Sequence, residues 1–275
     1  MIVVDYAADQ FLKSAKRAAT IQSSGTSVAG IAVLGNEMFV VRYGGINIQV
    51  YKHNSDDVTI QRYLNITSST RTFRSLAACE FNQCLYVSEQ NNALIHKVSP
   101  VTNTTVKQWS VGGQPFGVSV NSAHNVLVAC YTTHKVQEFT TDGALVQEIN
   151  LQPDVTHPAH VVQLRGDEFG ITHHGSAHRY CVVGSDGKIV KSIGTAGQMS
   201  SPHGFAVSKD SSKVFVADLG TNRISLLNSN SLSIEQLPAA FNVGYSGPSC
   251  IHFDARAGVM YVGEWNGGRI FCFKK

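Results

Sequence analysis

The sequence predicts an all-β fold, a six-bladed β-propeller of four-stranded antiparallel blades, on three observations. The first is an internal repeat, in which a short apolar strand follows a small turn. It recurs as VAGIAV from Val28, FRSLAA from Phe73, PFGVSV from Pro115, PAHVVQ from Pro158, PHGFAV from Pro202 and PSCIHF from Pro248. The spacing of 42 to 46 residues suits one four-stranded blade, and six is an ordinary blade count. The second is that each unit continues into another strand that stops on a polar or thiol residue, at Arg42, Glu89, Cys130, His173, Asp218 and Glu264. The third is composition. Charged residues make up 15%, and Ser, Thr, Asn and Gly fill the difference, as expected where many short strands are joined by turns.

Taken in order, the elements begin with residues 1–15, which fall outside the repeat. Phe11, Leu12 and Ala15 share one helical face, so a short helix from Gln10 to Ala19 competes with a strand over RAATIQ, Arg17 to Gln22. Counting favours the strand. The last unit stops at FCFKK after three strands, and RAATIQ occupies the place before the first repeat that QWSV holds before the third. Arg17–Gln22 is therefore expected to complete blade six, closing the ring and removing its open edges. Third strands begin about six residues after the second in five units, and the fourth unit carries one extra residue within HHGSAHRY. Asp142-Gly143 and Asp186-Gly187 are turn pairs between third and fourth strands. All 275 residues are read as one domain.

Composition argues against several functions. Lys and Arg number 22 against 19 Asp and Glu, a net charge of +3, and the basic residues are scattered, unlike a clustered phosphate-binding stripe. No apolar run is long enough to span a membrane. The start, MIVVDYAADQ, lacks the basic and apolar regions of a secretory signal, so a cytoplasmic location is expected. Extracellular residence stays open; Asn65-Ile66-Thr67 and Asn103-Thr104-Thr105 fit the glycosylation pattern, which matters only in a secreted protein. The six cysteines show no Cys-x-x-Cys spacing. Cys79 and Cys84 flank a turn and could form a disulfide, although buried free thiols are the expectation.

SPHGFAVSKDSSKVFVADLGTNRISLL resembles the NHL-repeat pattern of Pro-x-Gly, an apolar strand, Val-x-Asp and then Asn-Arg-Ile. The resemblance covers roughly residues 16 to 275, loosest in the first and fourth units. It implies a six-bladed ring and, by similarity to the propellers of tripartite-motif NHL proteins, a protein-binding or RNA-binding role. Their RING, B-box and coiled-coil segments have no counterpart in these 275 residues, so no ligase role is carried over. Glu89, Asp218 and Glu264 stand where NHL repeats carry Asp, a position that braces the following turn.

Because strands alternate in direction, the turn leading into each first strand and the loop after each second strand open on one side. That lead-in face is the expected binding site. Its candidates are Arg42, Arg74, Phe116 and Tyr131, together with His160, His173, His203 and Trp265. Arginine and aromatic groups are the types enriched at binding hot spots. Six of eleven histidines, His157, His160, His173, His174, His178 and His203, fall within about the length of one repeat. His160, His173, His203 and Asp218 would suit zinc or a similar divalent ion, as in a metal-dependent propeller lyase or hydrolase. The propeller lyases resemble this chain only distantly. Peptidylglycine amidating lyases place histidines after the Pro of three lead-in turns, and here His203 alone holds that slot. A virginiamycin-type lyase is likewise not established by one PHG. No Gly-x-Ser-x-Gly, phosphate-cradling loop or His-Glu-x-x-His is present. The sequence thus favours a monomeric module for a protein partner, with RNA second and metal-dependent catalysis as the alternative.

Overall fold

The computed structural model describes residues 6–22, 26–54, 59–175, 180–194 and 197–275. His178 and the extra residue expected within HHGSAHRY fall outside the described residues. Within them the chain forms six four-stranded antiparallel sheets. The innermost strands are Val28–Leu34, Phe73–Cys79, Pro115–Val120, Pro158–Gln163, Pro202–Val207 and Pro248–Asp254, which define blades one to six. The second strands, Glu37–Arg42, Cys84–Glu89, Val126–Cys130, Glu168–His173, Lys213–Asp218 and Val259–Glu264, end on the residues the repeat marks. The fold is the six-bladed propeller the sequence predicts.

Ring closure uses the expected strand, preceded by a helix that ends before it and does not reach Ala19. Tyr6–Ser14 is a helix and Lys16–Ile21 a strand that pairs antiparallel with Ile270–Lys274 as the outer strand of blade six. The helix packs through Phe11, buried against Phe241 and Phe253 with ring centroids 5.9 and 4.9 Å away. Its apolar face thus covers the rim between blades five and six, while the strand satisfies the edge of the last sheet.

Each blade faces its neighbours through apolar side chains, so the core is a series of inter-blade layers. Phe39, Phe73, Tyr86, Phe169, Tyr180 and Phe215 are fully buried in these layers. Cys79 and Cys84 sit opposite one another across the hairpin of blade two as free, buried thiols. Among the described residues no helix is long and apolar enough to cross a membrane.

The innermost strands share an irregularity. In every blade one extra residue intrudes on the pairing of the first strand with the second, immediately after the strand begins. Such a bulge locally re-aims a side chain. It brings Ala29, Arg74, Phe116, Ala159, His203 and Ser249 to the lining of a single axial cavity.

Candidate functional site

The site is built from two concentric rings at the lead-in mouth of the axial channel. The inner ring consists of the six residues at the bulges. Cross-blade hydrogen bonds from side-chain hydroxyls fix it. Ser88 donates to the Phe116 carbonyl (2.6 Å), Thr172 to that of His203 (2.5 Å) and Ser249 to that of Val28 (2.7 Å). The residue after each bulge alternates around the ring: Gly30, Ser75, Gly117, His160, Gly204, Cys250. A Cβ on Gly30 would come within 2.5 Å of the Leu76 nitrogen, and one on Gly117 within 2.5 Å of the His160 Cα. Glycine in the odd blades therefore lets the even blades approach.

The outer ring departs from expectation by one residue. Arg42, Glu89, Cys130, His173, Asp218 and Glu264 are all buried. Successive strand residues point to opposite sides, so it is the following positions whose side chains reach the mouth. Tyr43, Tyr131, His174 and Trp265 make the ring contacts there.

The buried set braces the turns. Arg42 donates to the Thr26 and Gly268 carbonyls (2.8 and 2.9 Å), the latter on blade six. Cys130 contacts Gln137 (3.4 Å), and the Nδ1 of His173 accepts from the Gly175 amide (3.1 Å). Asp218 accepts from the Ser200 amide and the Thr221 hydroxyl, and Glu264 from the Ser246 amide and Arg269. Burial raises the Asp218 carboxyl above its ordinary value. Burial also acts to raise that of Glu89, but hydrogen bonds from Ser68 and Thr70, the His96 ring and the Asn92 amide outweigh it and hold it low.

Consequently the four groups proposed for a metal are dispersed. His203 lies at the mouth, 4.9 Å between ring centroids from His174, whereas His160 packs edge-on against Phe205. His173 and Asp218 are buried in the turn braces described above. Among the described residues no group of three or more His, Cys, Asp or Glu is gathered that could hold a metal ion. Burial lowers His160 to about 4 and, with His174 and Arg74 adding to it, His203 to about 3, so both imidazoles are neutral at pH 7.

What the mouth does gather is an arc of rings around one guanidinium. The Arg74 Cζ lies 4.8 Å from the ring centroid of Tyr43, 4.6 Å from that of Phe116 and 4.8 Å from that of Trp265. Tyr43 and Trp265 are 5.1 Å apart, and Phe116 stacks on Tyr131 at 4.3 Å and 17°. The Tyr131 hydroxyl meets the Nδ1 of His174 (3.3 Å), and its ring lies 4.8 Å from that of His157. Burial lowers the Arg74 pKa, while Tyr43 and Tyr131 oppose that shift. An arginine so placed keeps its charge.

The cavity enclosed below this arc is about 40 Å³, enough for a few atoms and too small for a metabolite. The opposite mouth opens into a funnel of about 590 Å³. Its walls include Ile31, Val33, Ala78, Val120 and Val162. Two of its rim charges, Arg256 and Glu80, pair across the opening.

Comparison with known proteins extends the fold and nothing finer. The chain superposes on a hydrazine synthase structure from Kuenenia stuttgartiensis with a TM-score of 0.67 at 12% identity, covering 93% of this chain and 97% of that one. It superposes on the WD40 β-propeller domain of Doa1 with a TM-score of 0.66 at 10% identity, covering 95% and 97%. It has the six-bladed β-propeller architecture. No protein-family model and no curated protein sequence matches the chain. At these identities the likeness carries the ring and none of its chemistry.

Of the eight residues expected on the binding face, the propeller brings Arg74, Phe116, Tyr131, His203 and Trp265 together at the mouth. It sets His160 deeper in the channel and buries Arg42 and His173. Tyr43 and His174 complete the arc and were not among those eight. The signal for them was the same repeat read one position later.

Proposed function

We propose that this propeller is a binding module whose lead-in mouth docks a protein partner. One observation carries the reading: an arginine and the rings of Tyr43, Phe116, Tyr131 and Trp265 converge over a cavity too small to enclose a substrate. Preformed clusters of arginine and aromatic groups are the composition of interface hot spots. The resemblance to NHL-type repeats supports the same class. Protein is favoured over RNA because the other arginines of these turns are occupied. Arg42 and Arg269 brace blades, and Arg223 donates to the Gln198 carbonyl. Phosphate contacts need several free cations along a groove.

The test compares wild type with Tyr131→Ala and Trp265→Ala. Partners captured by wild type are purified and their affinity measured by calorimetry, alongside single-stranded RNA by fluorescence anisotropy at two salt concentrations. Loss of at least about tenfold affinity for a purified partner in both variants supports the reading. Unchanged affinity in both, or RNA binding that weakens steeply with salt, overturns it.

A further inference from the structure

We propose that Arg74 is the receptor for a carboxylate carried on an acidic side chain of the docked partner. This inference rests on the binding-module reading and names the chemistry of what enters.

Among the described residues only one of the five N–H donors of the Arg74 guanidinium is bonded. Its Nε donates to Gln90 Oε1 at 2.6 Å, and Gln90 is itself held by its Nε2 donating to Gln114 Oε1 at 3.0 Å. These bonds fix the plane of the fork. Among the described residues neither Nη donates a hydrogen bond and no carboxylate pairs with Arg74. The acids nearest in sequence to the ring are committed elsewhere: Glu89 is buried on His96 (2.8 Å) and Glu264 on Arg269 (2.7 Å). Three aromatic faces offset part of the cost of desolvating the cation, but they supply no acceptors. The fork therefore presents unpaired donors at the mouth, held in one orientation, and planar paired donors match the two oxygens of a carboxylate.

Size selects the bearer. The cavity that Arg74 lines holds about 40 Å³, because only Arg74, Phe116 and His203 of the inner ring are large while Ala29, Ala159 and Ser249 are small. That volume admits the tip of an Asp or Glu side chain. The neutral His203 beside it offers an imidazole that can donate or accept without adding competing charge.

The experiment follows the arginine side-chain resonances of the ¹⁵N-labelled protein during titration with acetate, glutarate, inorganic phosphate and sulfate. The same protein is then titrated with a fluorescein-labelled peptide of alternating Glu and Gly and with its Gln counterpart. The expected result is a saturable shift of one arginine signal with the carboxylates and the Glu peptide, absent in Arg74→Lys. That variant keeps the charge and loses the fork. Peptide affinity should fall about 30-fold or more in Arg74→Gln. Circular dichroism checks that both variants are folded. Equal affinity for the Glu and Gln peptides overturns the proposal, as does a response to phosphate and sulfate that exceeds the response to carboxylates. If partner binding is lost in Trp265→Ala but survives Arg74→Lys unchanged, the carboxylate proposal fails while the module reading stands. If carboxylates bind at Arg74 but no partner depends on Tyr131 or Trp265, the module reading fails alone.

Discussion

Among the inner-ring glycines, Gly30 and Gly117 make the closest approaches to a neighbouring blade, and replacing Gly117 with alanine is a direct test of how that ring is held. A Cβ there would lie 2.5 Å from the Cα of His160 and 2.6 Å from the Ala159 carbonyl oxygen. Both are backbone atoms of the next blade, so no rotamer change can make room. Overpacking of this kind costs about 1–3 kcal/mol. Unfolding entropy of roughly 2.1 cal/mol/K per residue gives about 0.6 kcal/mol/K for this chain, so Tm should fall by about 2–5 °C. The same substitution at Gly204 meets Cys250 and Ser249 at 3.0 Å, a softer approach, and should cost less. Thermal scans by circular dichroism and urea titrations would measure both variants. Because Phe116 precedes Gly117 and stacks against Arg74, the alanine variant should also weaken ligand binding at the mouth. A Gly117→Ala protein within about 1 °C of wild type, or one more stable than Gly204→Ala, would refute the close-packing account.

Phe11→Ala should destabilise the ring by about 3–5 kcal/mol in urea unfolding, since the ring fills a buried site between Phe241 and Phe253. Deleting residues 1–21 should expose the edge of Ile270–Lys274 and produce larger soluble oligomers or aggregates in size-exclusion chromatography, where an elution profile like that of the intact chain would contradict the closure role. His160, His203 and His252 have folded pKa values of about 4, 3 and 4, below the unfolded value. Between those values and about 6.5 the unfolded chain binds more protons, so their stabilisation is present above about pH 6.5 and is lost as pH falls. The urea midpoint should drop from pH 7 to pH 5, and less so in His203→Asn; equal midpoints would sink the idea. All six thiols are buried, and burial pushes those of Cys130, Cys181 and Cys250 up to about 12, so native protein should react with a thiol reagent far more slowly than unfolded protein.

Much of the fold was legible because its signals are local and repeated. The turn before each first strand and the polar residue ending each second strand recur at a fixed period, and the structure places those strand boundaries where the repeat does. The missing outer strand of blade six was found by counting. At the N-terminus, residues 10–19 satisfied a helical pattern and 17–22 a strand pattern. The helix lies earlier than that pattern, at Tyr6–Ser14, and gives way at Ala15 to the strand Lys16–Ile21, with Phe11 on one side and the edge of Ile270–Lys274 on the other supplying the burial each element needs.

The site was less legible, because side-chain direction in a strand reverses at every residue and a single bulge resets it. The sequence identified the second-strand ends as chemically distinctive, yet whether Arg42 or Tyr43, or His173 or His174, faces the channel depends on the phase of the pleat. That phase is set by pairing with strands far away in the chain. Convergence of Arg74 with Tyr43, Phe116 and Trp265 joins blades one, two, three and six, and no local pattern encodes it. The sequence by itself determined the ring, its six blades and its closing strand, through repetition and hydrophobic alternation. Only the tertiary structure decided which face of each strand looks into the channel, because that requires all six blades to be packed against one another.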